Sequence, residues 1–538
     1  MKQTKPNIKS PKPTKKAKQP IPKIIKPVIP PMGSRRMIDS ALSSRSATSS
    51  HEPEPSVQIE NLPVADLNSL SKIEQDLFEE PATSRSSSLL NHLPELDINP
   101  DKALDEIFTI VKQWNPDSIL NVDFRVYHLL TNKLFDLIKG FYEKDSKSET
   151  FFKTLAICIH LVPISDRDSL NVVIQCLYHF SREQSFDYLF IDYSILTQLI
   201  EHTFSEFEPI CTICASILRH ICQTRDIAIE LNNHNIIQNL GRELRTTIRR
   251  NRFSSERSVY YYQLIGILNG IIPVIPDFSL LSRYNLPVSI LELTIIYQTD
   301  PHIQSIASKS LSLMLTNQSC IENLEMEELQ PFFPLLQSGR SKTRYYTAMA
   351  LSNAMQQSDI ITQTIVEIPA PLGVFSLCCS LQNSWPNSQN SEDNDRQTIK
   401  FENELPDEIK DIMLALLRCL AKATEIEEGA KAALFYLDIF IPFLDFPLSD
   451  VETWTRDEMI VANTLICLKN FAEIDPKKVS FAVKGKLMQL MYFGVVDYVV
   501  DMMKKLMKCE EGKKVCDEVI NVEEVALLLQ ASSLPKNS

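Results

Sequence analysis

The chain is poor in the residues and motifs on which catalytic and nucleotide-binding folds depend. It holds only 11 glycines in 538 residues, whereas sheet-rich and dinucleotide-binding proteins use glycine in turns and phosphate loops. It contains no G-x-x-x-x-G-K-[ST], G-x-G-x-x-G or H-E-x-x-H motif. We therefore expect no cofactor, no small-molecule substrate and no enzymatic activity.

Long apolar runs and a secretory signal are lacking as well. The most apolar run, residues 264–275, is too short to span a bilayer and is interrupted by Asn269 and Pro273. The N-terminus is rich in lysine and proline and has no continuous apolar core. These features predict a cytoplasmic protein without a transmembrane segment.

The 12 cysteines are scattered and mostly fall on apolar helix faces, as expected of reduced thiols in a core. The best metal candidate is Cys211-x-x-Cys214 with His220 and Cys222. Cys214 and Cys222 share the apolar stripe of one continuous helix, whereas zinc sites usually draw their ligands from two separated clusters. We therefore predict that these thiols pack in the core and bind no metal.

Charge is unevenly distributed along the chain. Residues 1–38 hold eleven Lys and Arg and no acid, so residues 39–538 carry −24, the net charge of −13 less these cations. Residues 1–31 also contain eight prolines, which exclude helix and sheet. We predict a disordered tail over residues 1–100, basic and Pro/Lys-rich at first and Ser-rich afterwards.

Beyond the tail the hydrophobic spacing is that of amphipathic helices. In residues 210–222 apolar side chains recur at i, i+3, i+4, i+7, i+8, i+11 and i+12. A polar turn follows at 223–226, and one shorter helix is predicted over 227–240. Neither stripe can be buried alone, so this unit requires copies of itself on both sides. We predict an all-α domain over residues 101–535.

The copies are recognisable by a five-residue block that ends each long helix. The second residues of successive blocks are 41, 49, 44, 40, 66 and 51 residues apart. The longest interval includes a polar, acidic stretch over 383–404, predicted to be a flexible insertion. Without it, the intervals approach the period of about 40–47 residues of armadillo and HEAT units. These second residues are Leu177, Leu218, Ile267, Leu311, Leu351, Leu417 and Leu468.

The block resembles the A-L-x-N-L signature of the armadillo repeat. Residues 225–229 and 233–237 occupy the places of its turn and of its G-x-I helix start, with Asn and His where the family prefers Gly. The resemblance covers about residues 165–529, and HEAT repeats are the nearest alternative. It implies an α-solenoid, a right-handed superhelix of about eight repeats whose third helices line a concave groove for extended protein segments.

Short strings within this region resemble those of armadillo proteins of motile cilia and flagella, namely residues 170–172, 180–183 and 194–196. This resemblance implies a non-enzymatic scaffold or adaptor, located in the cytoplasm and the cilium or flagellum, that assembles or transports axonemal components such as radial spokes. The alternative is a polyanion-associating protein whose basic tail contacts microtubules or another anionic surface. Because the tail lacks aromatic residues for base stacking, the sequence argues against nucleic-acid binding.

Polar residues at the fourth position of the block are the groove candidates. A row of amide and imidazole groups can hold the backbone of an extended peptide. A basic run between two repeats, Arg242, Arg245 and Arg249, is interpreted as a solvated loop, with a clamp for an acidic partner as the alternative. The groove candidates are His179, His220, Asn269, Asn353 and Asn470.

Overall fold

In the computed structural model all regular structure of the described residues is helical, and no strand occurs among them. The all-α prediction is therefore confirmed. Residues 1–88 and 386–404, which include most of the predicted tail and insertion, lie outside the described part. The described residues are 89–114, 124–144, 149–162, 167–192, 195–250, 257–322, 324–385, 405–446, 448, 455–491 and 494–520.

The described fold begins at Leu89, twelve residues before the predicted boundary at residue 101. Leu89, Leu93 and Leu96 are at most 1% exposed, because their i, i+4, i+7 spacing directs them to one side of a short helical segment. That segment packs against the helix Pro100–Val111, and Lys133 of the helix Phe124–Lys144 pairs with Asp97 at 3.0 Å.

The helices range in length from four to 21 residues. Their bounds in chain order are α1 Pro100–Val111, α2 Phe124–Lys144, α3 Glu149–Leu161, α4 Arg167–Ser181, α5 Asp187–Asp192, α6 Leu196–Thr203, α7 Glu208–Ile221, α8 Arg225–Asn233, α9 Ile236–Arg250, α10 Ser258–Ile271, α11 Ser279–Arg283, α12 Leu286–Ile296, α13 Pro301–Met314, α14 Gln318–Ile321, α15 Met326–Leu329, α16 Phe332–Leu336, α17 Ser341–Gln357, α18 Asp359–Glu367, α19 Gly373–Asn383, α20 Asp407–Ala423, α21 Glu427–Leu434, α22 Arg456–Ile474, α23 Pro476–Val483, α24 Leu487–Leu490, α25 Val496–Leu506 and α26 Glu510–Ile520.

The long helices form a ladder in which each packs against the next. We call α2, α4, α7, α10, α13, α17, α20, α22 and α25 the ladder helices. The sequence blocks lie in their C-terminal halves, where Leu218, Leu351 and Leu417 are fully buried. Most ladder helices are preceded by two further helices, as α8 and α9 precede α10. This is an armadillo-like α-solenoid, as the repeated blocks predict.

The prediction of one helix over 227–240 is wrong, because α8 and α9 are separated at Asn235. Asn235 has φ 59° and Asn285 has φ 54°, both in the left-handed region. Gly373 and Gly485 have φ 58° and 76°. All four lie at the junction between the first and second helix of a repeat. Asparagine tolerates this conformation better than other side chains, which explains how it replaces glycine here.

Asn285 should therefore be sensitive to the backbone preference of its replacement. We expect Asn285→Val to lower the free energy of unfolding by about 1–2 kcal/mol, because a β-branched side chain is disfavoured in the left-handed region that asparagine tolerates. Asn285→Gly should cost much less, since glycine adopts this conformation without strain. Urea unfolding of both variants checks this, and equal losses would contradict the explanation.

Glycine also sets how closely two first helices approach the ladder. Gly429 in α21 and Gly512 in α26 each follow two glutamates as the third residue of a helix. A Cβ on Gly429 would clash with the carbonyl oxygen of Ala423, and one on Gly512 with that of Leu506. Both carbonyls belong to the last residue of a ladder helix, so glycine permits the tight return of the chain.

Candidate functional site

The ladder helices leave one face uncovered, and its residues recur at helical spacing. On α13, α17 and α22 the partly exposed positions follow i, i+4, i+7, i+11, which is one stripe per helix. We call these stripes together the open face. Its residues are His302, Ile306, Lys309 and Leu313 on α13, Lys342, Tyr346, Met349 and Asn353 on α17, Asp411, Arg418 and Lys422 on α20, and Met459, Asn463, Ile466 and Asn470 on α22.

The three candidate asparagines are half-buried, and each forms hydrogen bonds to a neighbouring ladder helix or to the residue that follows it. Asn353 Nδ2 donates to the carbonyl oxygen of Ser312 at 3.0 Å. Asn470 Nδ2 donates to Thr424 Oγ1 at 3.1 Å. The amide oxygens of Asn353 and Asn470 accept no hydrogen bond from the described residues. These two oxygens can therefore receive a donor from a partner.

Asn269 differs from the other two asparagines because both ends of its amide are engaged. Its Oδ1 accepts from Ser310 Oγ at 2.6 Å, and its Nδ2 donates to the carbonyl oxygen of Ile306 at 3.4 Å. Both contacts reach from α10 to α13, so Asn269 joins two rungs and has less capacity left for a partner.

The two candidate histidines lie at the interfaces around α4. Burial, together with Arg182 and Lys139, lowers the pKa of His179 to about 4, so its imidazole is neutral at physiological pH. His220 Nδ1 lies 3.1 Å from Ser181 Oγ, which links α7 to α4. The five candidate positions thus occupy consecutive or nearly consecutive rungs, and each side chain also touches the neighbouring helix.

The contact between Arg219 and Tyr262 was not predicted from the sequence. The Arg219 guanidinium lies 4.5 Å from the Tyr262 ring centre, and its nitrogens donate to Tyr262 Oη and Gln263 Oε1. The stem of Arg219 crosses Gly266, where a Cβ would overlap it. The partners are 43–47 residues away from Arg219, so only the repeat period could have indicated their proximity.

The basic run is helical, which corrects its interpretation as a loop. Arg242 is exposed and Arg245 is half-buried on α9, while the side chain of Arg249 lies outside the described atoms. Because α9 packs against α12 in the layer of second helices, the run is not brought together with the asparagines of the ladder.

The cysteines of the metal candidate Cys211-x-x-Cys214 with His220 and Cys222 are packed in the core. Cys211, Cys214 and Cys222 are all buried, and burial raises the pKa of Cys211 to about 11 and that of Cys222 to about 12. Cys222 lies against Gly270 of α10. Among the described residues no group of three His, Cys, Asp or Glu side chains is arranged to hold a metal ion.

Asp187 is a buried carboxylate that the sequence did not single out. It is 3% exposed, and Thr224 Oγ1 donates to its Oδ2, while its Oδ1 has no partner among the described residues. Burial raises its pKa to about 6 from the usual 3.8. Since the folded pKa is higher than the unfolded one, ionisation of Asp187 destabilises the fold as the pH rises through this interval.

Replacing Asp187 by Asn should remove this cost. At pH 7.5 we expect Asp187→Asn to raise the free energy of unfolding by about 1–2 kcal/mol, allowing for partial solvent screening. The gain should shrink as the pH falls from 6 to 4, where the folded carboxyl is protonated anyway. Urea unfolding across this pH range measures it, and a gain independent of pH would rule out the titration of Asp187 as its cause.

Comparison with known proteins identifies the fold alone. One similar solved structure comes from work on a conserved phosphorylation switch that controls the interaction between cadherin and beta-catenin, with a TM-score of 0.57, 13% identity, and coverage of 81% of this chain and 86% of that one. An engineered protein matches with a TM-score of 0.49 and 14% identity over 85% of this chain and 98% of its own. No family model and no curated protein matches the sequence.

No helix in the described part of the chain combines the length and the apolarity that crossing a bilayer requires.

Proposed function

We propose that this chain is a non-enzymatic protein-binding scaffold whose open face holds an extended segment of a partner. The observation that carries the proposal is the pair of polar groups at equivalent positions of the ladder helices α17 and α22. The side-chain amide nitrogens of Asn353 and Asn470 each donate a hydrogen bond to a neighbouring repeat, whereas their amide oxygens accept none from the described residues. An extended peptide presents backbone N–H groups that such oxygens can accept, whatever its side chains are.

We further propose that the scaffold acts in the assembly or transport of ciliary or flagellar axonemal components, such as radial spokes, in the cytoplasm and the cilium. This rests on residues 170–172, 180–183 and 194–196, which resemble strings of armadillo repeat-containing protein 2, a protein of motile cilia and flagella. The solved structure concerned with cadherin and beta-catenin supports a protein as the type of partner.

Proximity labelling of the tagged full-length protein in a ciliated cell tests both parts. Axonemal proteins should be enriched, and Asn353→Ala with Asn470→Ala should reduce that enrichment. The matched control is Asn233→Ala with Asn383→Ala, two exposed asparagines outside the ladder helices. If the variant with Asn353→Ala and Asn470→Ala labels the same proteins as the wild type, the open face is not the binding surface. Enrichment that lacks axonemal proteins would instead remove the ciliary role.

The second candidate is a polyanion-associating protein, favoured by the eleven cations of residues 1–38. Such a tail would attach by charge alone to microtubules or an anionic surface. Deletion of residues 1–60 separates the two functions. The scaffold should keep its partners without the tail, and loss of all of them would favour the polyanion-associating protein.

A further inference from the structure

We infer that the pocket between α16 and α19 is a second binding site, which takes a large apolar side chain from a partner segment rich in Lys and Arg. The pocket has a volume of about 270 Å³. It lies in the layer of second helices, and none of its eight lining residues belongs to the open face. The inference therefore goes beyond the proposed function and does not depend on it.

The walls of the pocket are apolar although they face the surface. Phe333 and Pro334 of α16 form one wall, and Leu372 and Phe375 at the start of α19 form the other. Phe375 is 37% exposed, and its ring packs edge-on against Tyr436 of the next repeat, with the ring centres 5.6 Å apart. Exposed apolar side chains grouped around a pocket are typical of a contact surface.

Hydrogen bonds hold the two walls together, so the pocket is formed before a ligand enters. Gln337 Nε2 donates to Ser380 Oγ at 2.8 Å, and Gln337 Oε1 accepts from Asn383 Nδ2 at 3.2 Å. The pocket is smaller than the about 300–1,000 Å³ of small-molecule sites, and no charged residue lines it. An apolar side chain of another protein is therefore a better match than a cofactor.

The chain segments that form the pocket are acidic and contain no cation. Residues 322–339 and 358–385 hold six Asp and Glu and no Lys, Arg or His, although about one residue in ten of the whole chain is Lys or Arg. Of these acids only Asp359 forms an ion pair with the described residues, to Lys422 at 3.2 Å. The nearest cation along the chain, Arg340, is half-buried and already engaged. The pocket therefore lies in a negative field.

The exposed acids are close enough for this field to act on a ligand in the pocket. Glu327 lies six residues before Phe333, and Glu367 lies four residues before Pro371, which also lines the pocket. Six residues of chain extend at most about 20 Å, which is within the screening length of about 30 Å at 0.01 M salt.

This field selects among the possible occupants. Lys or Arg beside the apolar side chain attracts a protein segment to the pocket. Nucleic acid and an anionic membrane are repelled, and so is a second copy of residues 39–538, which carries a net charge of −24. A basic segment with an apolar anchor satisfies both the pocket and its surroundings.

Fluorescence anisotropy with three labelled peptides at low salt tests the inference on the full-length protein. The first peptide carries one leucine between two pairs of lysines in an Ala/Ser background, the second has serine in place of the leucine, and the third has glutamines in place of the lysines. We expect the first to bind at least about tenfold more tightly than the second, because the leucine is buried. It should bind at least about fivefold more tightly than the third.

Cys379 reports whether the peptide occupies the pocket. It lines the pocket and is half-buried, as is Cys509 in the loop after α25, whereas the other ten cysteines are buried. Bound leucine–lysine peptide should slow the alkylation of Cys379 at least about fivefold and leave that of Cys509 unchanged, as measured by mass spectrometry. Binding without protection of Cys379 would place the peptide elsewhere and overturn the inference.

Neutralising the acids should weaken the leucine–lysine peptide without disturbing the pocket. Glu327 and Glu367 are exposed and form no ion pair with the described residues, so Glu327→Gln with Glu367→Gln should lower the affinity about fivefold at low salt. The matched control is Glu201→Gln with Glu206→Gln, two exposed acids far from the pocket along the array, which should leave the affinity unchanged.

Phe375→Ala removes one wall of the pocket and should lower the affinity at least about fivefold. Phe481→Ala is its control, because Phe481 is 64% exposed on α23 and does not line the pocket. The open-face variant Asn353→Ala with Asn470→Ala should bind the peptide as the wild type does. This site and the proposed function can therefore fail separately.

Four results would overturn the inference. Equal affinity for the serine peptide would show that no side chain enters the pocket, and equal affinity for the glutamine peptide would remove the basic partner. Binding by none of the three peptides would remove the site. If the alkylation of Cys379 slows as the concentration of the protein alone rises, the occupant is a second copy of this chain and not a basic segment of a partner.

Discussion

Leu218→Ala is expected to lower the free energy of unfolding by about 2–5 kcal/mol, the cost of removing a large side chain from a packed core. Leu218 is fully buried on α7, which contacts ladder helices on both sides. Ile229 is 39% exposed in the following helix and provides the control, because Ile229→Ala should cost much less. Urea unfolding measures both.

The damage from Leu218→Ala should also be local, since solenoid repeats contact only their neighbours. Hydrogen exchange should increase mainly between residues 165 and 320. Equal acceleration near residue 500 would indicate one globally cooperative unit and contradict the nearest-neighbour description.

Gly429→Ala is expected to destabilise the chain by about 2–3 kcal/mol, because the added methyl group overlaps a backbone carbonyl that cannot rotate away. The obstacle is the oxygen of Ala423, the last residue of α20. Relief requires α21 to move away from the ladder, with loss of the contacts that α21 makes to α22. Thermal unfolding of the full chain gives the size of the effect.

Gly140→Ala is the matched control for this substitution. Gly140 lies within α2, and beyond the backbone of its own helix no atom of the described residues stands within 4 Å of an added Cβ. In a helix alanine is favoured over glycine by about 0.5–1 kcal/mol, so this variant should be slightly more stable. A similar loss from both substitutions would show that the close approach at Gly429 is not the cause.

The ladder helices could be predicted from sequence because each buries a stripe of period 3.6 over three turns or more. The periodicity did not predict the break at Asn235, because the apolar stripe continues from α8 into α9 and only the left-handed φ of one residue separates them. The resemblance to the armadillo repeat did indicate a helix start at residues 233–237. The folded segment around Leu93 was missed for another reason. It is short, and a Ser-rich stretch precedes it directly.

The sequence predicted which residues of the candidate site occupy equivalent positions, but it did not predict their hydrogen-bond partners. The repeat blocks indicated that Asn269 and Asn353 are equivalent, and the structure places both on ladder helices. Their hydrogen bonds differ because the partners, Ser310 and Ser312, come from the sequence of the neighbouring repeat. The sequence of one repeat does not determine which residues of the neighbouring repeat contact it.

The buried cysteine thiols can report which repeats of this chain unfold locally. Ten of the 12 cysteines are buried, and they are spread from Cys158 to Cys516 over most of the repeats. An alkylating reagent can reach each thiol only when its own neighbourhood unfolds, so the rates of labelling report opening repeat by repeat. Read by mass spectrometry, that pattern shows whether the array frays from its ends or parts in the middle, without any added probe.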